Sequence, residues 1–372
     1  MSISRRGLLR CWAAPIGAAL VQRVAAVPIS VDLANEFSAS TVKAISPDGA
    51  RLCIEDWMEH GVPMRVLEIG TWRGVYSGTF SPRALSAQFF GDNHTLLVQS
   101  VGSRVIVDTA TGMRTQRTYV YDRQQRDDYY AAGERTLLVF NRDPRTGEGQ
   151  TVRLLELPDY REVIRVPYAT QPRKPHPVKG SVTLSTDGWV IQADNRKVLL
   201  YSFDDVLVCR RTEDLAILWT KSVEPGLEFI KVAISADGTR IAASVGDPRI
   251  EDLTRGWRQR YLGVYDGRTG DEIMRLQVDG SDWITLSADG RLIAVVSHER
   301  GEKGAVVPAA AIYEIPSGRK VALVVHGPVK RGRRQWLEAG ITVAFTSDGK
   351  YLITSGMATR VWSLGDMAGQ HA

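Results

Sequence analysis

Apolar and polar residues alternate in short runs along most of this chain, and tight turns separate the runs. Residues 229–234 (FIKVAI), 261–265 (YLGVY) and 272–278 (EIMRLQV) are three such runs, and Ser, Asp and Gly lie between them. A period of two predicts β-strands with one face buried. The pattern therefore predicts an all-β fold of short strands joined by hairpins.

One turn phrase recurs between these runs. Ser or Thr, one further residue, Asp and Gly stand at residues 46–49, 185–188, 235–238, 287–290 and 346–349. Glycine supplies the positive φ that a tight hairpin requires. Weaker copies complete a set of seven turns, 42 to 59 residues apart, and lie at 91–93 and 133–134. These intervals are close to the period of ~40–45 residues expected for a four-stranded blade.

A second turn recurs at a matched distance after the first. Residues 108–112 and 266–270 both read Asp-x-x-Thr-Gly, and 316–318 (PSG) occupies the same place in a later unit. Two different turns at matched offsets predict a seven-bladed β-propeller of four-stranded antiparallel blades. Unrelated hairpins in a β-sandwich are the alternative. The fourth unit is irregular, with an extra segment at 196–205.

The order of apolar strand, Ser-Pro-Asp-Gly turn, second strand and Trp-containing third strand resembles the bacterial WD40-like propeller repeats. Thr359–Leu364 (TRVWSL) is the closest copy of the third strand, and the resemblance extends over nearly all of residues 40–364. Two features of the WD40 pattern are missing, namely a Gly-His pair before the first strands and the Asp before the Trp strand. The hydrogen-bonded His/Ser/Asp/Trp network of that family is therefore not expected.

The last unit needs an outer strand. Its strands are predicted near 341–346, 350–354 and 359–364, and the polar remainder is too short for a fourth. The run 29–34 near the N-terminus has no unit of its own. We predict that this N-terminal strand closes the ring by completing the last blade, which protects the sheet edges.

The first residues are predicted to be a signal peptide, 1–26, followed by one propeller domain, 27–372. Ser4–Arg10 (SRRGLLR) resembles the twin-arginine signal, and the apolar stretch after it is too short to span a membrane. This indicates Tat export to the periplasm or outside the cell. A basic tail on a cytoplasmic protein, or a lipoprotein anchored at Cys11, are the alternatives.

Charge and cysteine content add little to this picture. The predicted signal peptide contains four arginines and no acid, so its removal lowers the net charge from +5 to +1. The basic balance therefore does not indicate nucleic-acid binding. Cys53 and Cys209 lie in apolar runs and are predicted to be two buried thiols rather than a disulfide.

Known catalytic motifs are missing from the sequence. The chain has no Gly-x-Ser-x-Gly elbow, His-Glu-x-x-His, Cys-x-x-Cys or phosphate-binding loop. The six histidines have no metal-ligand spacing, and His298 and His326 are expected to be solvated in loops. We predict no catalytic residue, no metal site and no cofactor.

The propeller topology assigns the long loops to one face. The first-to-second and third-to-fourth turns share the other face, and they are short. The long segments are 172–179, 246–260, 298–307 and 327–339, and the first of these carries a basic group around Arg173 and Lys174. Two further basic, Trp-containing groups form the predicted binding site: Arg255, Trp257, Arg258 and Arg260, and Lys330, Arg331, Arg333, Arg334 and Trp336. Solvated loops without a partner are the alternative.

These observations predict an exported, non-enzymatic scaffold, a monomeric ring that binds a protein or an acidic polysaccharide. Arg with Trp suits carboxylate recognition, with Trp257 and Trp336 as anchors. The alternative is a propeller enzyme, a lactonase-like hydrolase or a cofactor-dependent oxidoreductase that uses the central channel. Positions predicted to line that channel offer no obvious ligand set: Lys43, Ala44, Ala233 and Thr285. A sensor or accessory module of a larger envelope complex is a third possibility.

Overall fold

The computed structural model describes the chain in segments from residue 31 to residue 365. The described segments are 31–38, 40–56, 63–80, 84–100, 103–118, 126–132, 136–142, 151–167, 192–193, 198–203, 206–211, 214–235, 237–252, 256–278, 280–300, 306–327, 329–331, 334–336, 341–346, 348–356 and 358–365. Within them the regular elements are all β-strands. The predicted all-β class is confirmed.

The strands form four-stranded antiparallel sheets, which we number 1 to 7 in chain order. The first strand of the chain, β1 (Val31–Ser38), belongs to sheet 7. Sheet 1 contains β2 (Ser40–Ile45), β3 (Arg51–Asp56), β4 (Pro63–Glu68) and β5 (Gly74–Thr79). Sheet 2 contains β6 (Ala84–Phe89), β7 (Thr95–Ser100), β8 (Ser103–Asp108) and β9 (Arg114–Thr118). Sheet 3 contains β10 (Arg126–Ala132), β11 (Thr136–Arg142), β12 (Thr151–Glu156) and β13 (Arg161–Pro167).

The second half of the chain repeats this arrangement. Sheet 4 contains β14 (Gln192–Ala193), β15 (Val198–Phe203), β16 (Val206–Arg211) and β17 (Ile217–Ser222). Sheet 5 contains β18 (Glu228–Ile234), β19 (Arg240–Asp252), β20 (Gly256–Asp266) and β21 (Glu272–Leu276). Sheet 6 contains β22 (Gly280–Leu286), β23 (Leu292–Arg300), β24 (Val306–Glu314) and β25 (Lys320–Val325). A separate hairpin, β26 (Val329–Arg331) and β27 (Arg334–Trp336), precedes the strands of sheet 7, β28 (Thr342–Phe345), β29 (Tyr351–Ser355) and β30 (Ala358–Leu364).

The first strands of neighbouring sheets pack against one another around the molecule. The strand β2 contacts β6, β6 contacts β10, and the series continues through β14, β18 and β22 to β28. The strand β2 also contacts β29 and β30 of sheet 7. This circular series of sheets is a β-propeller, and the sheets are its blades.

Six of these sheets are complete blades, in which every strand has at least four residues. Sheet 4 is reduced, because its first strand β14 has two residues. The prediction of seven regular blades was therefore wrong: six complete blades and one reduced sheet are described. The turn predicted at 185–188 lies outside the described residues. The segment 196–205, predicted as an insertion, contains the second strand β15.

The N-terminal strand completes the last sheet, as predicted. The strand β1 is antiparallel to β30, with Val31 opposite Leu364 and Ser38 opposite Ala358. Phe37 packs edge-on against Trp72 of sheet 1, and Trp72 packs against Tyr351 of sheet 7. The first and last described parts of the chain therefore hold the ring together at one place.

The recurring turn phrase has a structural role that explains its repetition. In sheet 6 the Ser287 hydroxyl donates to the Asp289 carboxylate at 2.7 Å and accepts from the Leu292 amide at 2.9 Å. Gly290 adopts a φ of 65°, which favours glycine. The same bonds recur in sheets 1, 5 and 7, where the hydroxyls are Ser46, Ser235 and Thr346.

The hydrophobic core lies between adjacent blades. One cluster joins Ala242 and Leu262 of sheet 5 to Ile284 and Ile293 of sheet 6. Similar clusters join sheets 1 and 2, sheets 4 and 5, and sheets 6 and 7. Cys53 and Cys209 are buried as free thiols, which confirms the prediction, and burial raises the pKa of Cys209 to about 12.

Candidate functional site

The two faces of the ring are built differently. On one face, which we call the turn face, the short first-to-second turns at 46–50, 235–240, 287–292 and 346–351 meet the third-to-fourth turns. In sheet 5 the Gly267 amide donates to the Thr239 carbonyl at 2.9 Å, and in sheet 6 the Ile315 amide donates to the Arg291 carbonyl at 2.8 Å. Equivalent bonds occur in sheets 1 and 7. Backbone groups of the turn face are therefore hydrogen-bonded within sheets 1, 5, 6 and 7.

The opposite face, which we call the hairpin face, carries the described residues 247–252, 256–260, 298–300, 306–308, 329–331 and 334–336. In sheet 5, β19 and β20 continue pairing to Asp252 opposite Gly256. In sheet 6, β23 and β24 continue to Arg300 opposite Val306. These segments were predicted as loops, and that prediction was wrong because the polar residues there still pair as antiparallel strands. Three successive hairpins thus extend from one side of the ring.

The predicted binding residues are distributed over two of these hairpins. Trp257, Arg258 and Arg260 lie on β20, Lys330 and Arg331 on β26, and Arg334 and Trp336 on β27. Arg255, Arg333 and the group at 173–179 lie outside the described residues. Because β20 belongs to a second-to-third hairpin and β26–β27 connects two blades, strand direction assigns both groups to the hairpin face. The two basic groups therefore lie on the same face of the ring but on different hairpins.

Acidic residues lie opposite the first basic group. On β19, Asp247 is opposite Arg258 and Glu251 is opposite Trp257. Opposite charges on directly paired strands stabilise a hairpin. In this extension β19 has three acids and one arginine (247–252), and β20 has two arginines and no acid (256–260). The prediction from the sequence considered only the basic residues of 255–260, and the acids opposite them were not predicted.

Trp283 is a partly exposed aromatic residue on the first strand of sheet 6. Its side chain is 44% exposed, and the Lys231 Nζ lies 4.6 Å from the ring centroid. The strand β22 starts at the hairpin face and packs against β18, β19 and β20. Lys231 was not identified from the sequence, because a register shift between Phe229 and Lys231 interrupts the alternation of β18.

The first strands carry a buried ion pair that the sequence did not reveal. Lys43 Nζ on β2 lies 2.9 Å from the Glu55 carboxylate on β3, and the Glu55 side chain is fully buried. A buried carboxylate requires such a partner. Ala233, which was predicted to line the channel, is instead buried in the core between sheets 5 and 6.

A row of hydrogen bonds near the ring closure corrects one further prediction. Trp362 Nε1 donates to Thr354 Oγ1 at 2.8 Å, and Thr354 Oγ1 lies 2.7 Å from His326 Nδ1. His326 is fully buried, so the expectation of a solvated loop histidine was wrong. A His, a hydroxyl and a Trp are thus linked by hydrogen bonds beside the last sheet. The available signal was the pair His326–Gly327 before the first strand of sheet 7, in reversed order.

The described residues contain no group of three or more His, Cys, Asp or Glu side chains arranged to hold a metal ion. Over the same part of the chain, no helix is long and apolar enough to cross a membrane.

Comparisons with known proteins agree with the fold. No protein-family model matches the chain, and no curated protein is similar to it in sequence. The β-propeller domain of Cps50 (Swd1) from Myceliophteria thermophila superposes with a TM-score of 0.59 at 13% identity, over 90% of this chain and 99% of that one. At this identity the likeness shows the fold alone. Together with the circular series of four-stranded sheets, it supports a β-propeller fold for this chain.

Proposed function

We propose that this protein is an exported, non-enzymatic propeller that binds a protein or an acidic ligand through its hairpin face. The observation that carries the proposal is the difference between the faces: the turn face is closed by its own hydrogen bonds, whereas three hairpins extend from the other. Extended segments on one face of a repeat protein are often its binding surface. Sheet 4 would be the seventh blade, and residues 1–26 the export signal.

Charge distribution supports binding of an acidic partner on this face. Two cations of the turn face lie beside acids: Arg319 is 2.9 Å from Glu314, and Arg240 is 3.4 Å from Asp266. In the sequence, the five residues 330–334 include Lys330, Arg331, Arg333 and Arg334 and no acid. Arginines in such a group bind carboxylates, and Trp257 and Trp336 would supply apolar anchors.

A pull-down from envelope extract with residues 27–372 tests the proposal. One variant bait replaces Lys330, Arg331, Arg333 and Arg334 by Ser. A matched control replaces four exposed arginines of the turn face by Ser: Arg73, Arg161, Arg268 and Arg291. An oligogalacturonate column tests the acidic polysaccharide in parallel.

We expect a partner or the polysaccharide to be retained by the parent and the turn-face control, and lost by the hairpin-face variant. Equal retention by all three baits would contradict binding through the hairpin face. Loss only with the turn-face control would move the site to the opposite side of the ring.

A further inference from the structure

The strand β20 pairs with β19 over nearly its whole length, but with β21 over only a short part of it. Ten of its eleven residues, from Gly256 to Asp266, have a partner on β19, and Arg260 lies at the register shift between Val245 and Gly246. On the other side, β21 pairs with β20 only from Leu262 to Tyr265. Within the part of the chain that the structure describes, no strand pairs with residues 256–260 on that outer side. This segment is therefore the edge of a two-stranded ribbon that projects from the hairpin face.

The neighbouring hairpin of sheet 6 has a much shorter edge of the same kind. The strand β24 extends three residues beyond its pairing with β25, from Val306 to Pro308. Proline has no amide hydrogen to donate, and the His326 amide already donates to the Pro308 carbonyl at 2.9 Å. The β24 edge is thus protected against pairing with another chain, whereas residues 256–260 contain no proline.

The length and charge of the β20 edge indicate what it would pair with. Five residues of strand span about 17 Å, which accommodates a guest strand of similar length. The edge contains Arg258 and Arg260 and no acid. The acidic residues Asp247 and Glu251 lie on β19, on the far side of β20 from the guest. A guest with acidic side chains would therefore have arginines on the adjacent strand and acids one strand further away.

We propose that an extended acidic segment of a protein partner adds as a β-strand to the outer edge of β20 at residues 256–260. The inference rests on the proposed function, because it specifies how the hairpin face recognises a partner. Main-chain hydrogen bonds to the open edge provide affinity, and pairing of carboxylates with Arg258 and Arg260 provides the charge preference.

Defined peptides test strand addition directly. The first probe is a fluorescein-labelled heptapeptide of alternating Glu and Val with blocked ends. The second has Pro in place of each Val, which keeps the charge but prevents strand pairing. Two further probes are N-methylated on the backbone, one at every Val and the other at every Glu. Because alternate amides of a strand point to opposite sides, only one of these two should lose binding.

We expect the Glu/Val peptide to bind residues 27–372 at least about ten-fold more tightly than the Glu/Pro peptide. Arg258→Glu with Arg260→Glu should abolish this binding, and the control Arg268→Glu with Arg291→Glu on the turn face should preserve it. Equal binding of both N-methylated probes, or of the Glu/Pro peptide, would overturn strand addition.

The failure of this inference and that of the proposed function have different signatures. If every acidic peptide binds equally and the Arg258/Arg260 variant loses them all, the hairpin face binds acids without adding a strand. If no peptide binds while the pull-down still depends on Lys330 to Arg334, strand addition at β20 is overturned and the proposed function stands. If the pull-down is insensitive to that variant as well, both fail.

Discussion

The turn face and the hairpin face of this ring use polar residues in opposite ways. On the turn face, Asp237 and Asp289 accept hydrogen bonds from buried hydroxyls and from backbone amides of their own turns. On the hairpin face, residues such as Arg258 and Lys330 lie on ribbons that extend beyond the blades. Polar residues that recur from blade to blade therefore stabilise the turns of this ring. Polar residues that occur in one blade only are the candidates for binding a partner.

The largest expected effect comes from opening the ring, which should destabilise both faces together. Deleting residues 27–38 removes β1 and with it the pairing to β30 and the 3.0 Å bond between Glu36 and Arg360. We expect Tm to fall by about 10 °C or more. Thermal unfolding followed by circular dichroism measures this. Deleting residues 366–372, beyond the last described strand, is the control, and an unchanged Tm after the β1 deletion would contradict closure by β1.

The second prediction concerns the buried ion pair between the first two strands of sheet 1. Lys43→Met leaves the buried Glu55 carboxylate without its ammonium partner, so the free energy of unfolding should fall by about 3–5 kcal/mol. Urea unfolding provides the measurement. The double variant Lys43→Met with Glu55→Gln removes both charges and should recover most of the loss. A single variant as stable as the parent would show that this pair does not hold the first blade.

The third prediction isolates one turn. Ser287→Ala removes the hydroxyl that links the Asp289 carboxylate and the Leu292 amide, and Leu292 is buried. Because the amide is left without its acceptor, we expect a loss of about 1–3 kcal/mol in urea unfolding. The matched change Ser317→Ala, at an exposed turn residue, should cost less than about 0.5 kcal/mol. Equal effects would remove the distinction between the repeated phrase and ordinary turn residues.

Lowering the pH should have the smallest effect, and this effect is shared by several turns of the turn face. Burial raises the pKa of Asp237, but hydrogen bonds from Ser235 and Thr239 outweigh it and hold that pKa below its ordinary value of 3.8. The Arg268 amide likewise lowers the pKa of Asp266. A lowered pKa stabilises the fold above the ordinary value, and this contribution is lost as the pH falls through the folded value. We expect the contribution of these carboxylates to Tm to be constant from pH 7 to about 5 and to decline below about 4. The variant Asp237→Asn should show a smaller decline in Tm over this acid range. A Tm equally sensitive to acid in that variant would contradict this role.

The sequence was sufficient to predict those parts of the fold that depend on a few neighbouring residues. The Ser-x-Asp-Gly turns were predictable because their four residues are adjacent in the sequence, and a glycine such as Gly290 takes the positive φ that the turn requires. The closing strand was predictable because an alternating run of a few residues precedes Ser40. The extended β19–β20 ribbon was not predictable, because its polar residues pair as antiparallel strands without the apolar alternation that indicates a buried strand face. The contact between His326 and Thr354 joins residues that are 28 positions apart, and only the folded ring brings them together.

Sheet 4 shows a further limit of the repeat pattern. The prediction placed its first turn at 185–188, but β14 ends at Ala193 and β15 begins at Val198. The first strand of a sheet that pairs over two residues has too little alternation to be recognised from sequence. The candidate site was predictable only as a set of residue types on one face, because charge and aromatic content do not specify strand pairing.

Amide hydrogen exchange of residues 27–372, alone and with the partner retained in the pull-down, tests the central claim most directly. We predict that the bound state gains protection in peptides covering 247–260 and 329–336. Peptides covering the turns at 46–51, 235–240 and 287–292 should be unchanged, because amides in these turns already donate hydrogen bonds within the ring. Protection that appears at the turn face or along the first strands, with none on the hairpins, would contradict recognition through the hairpin face.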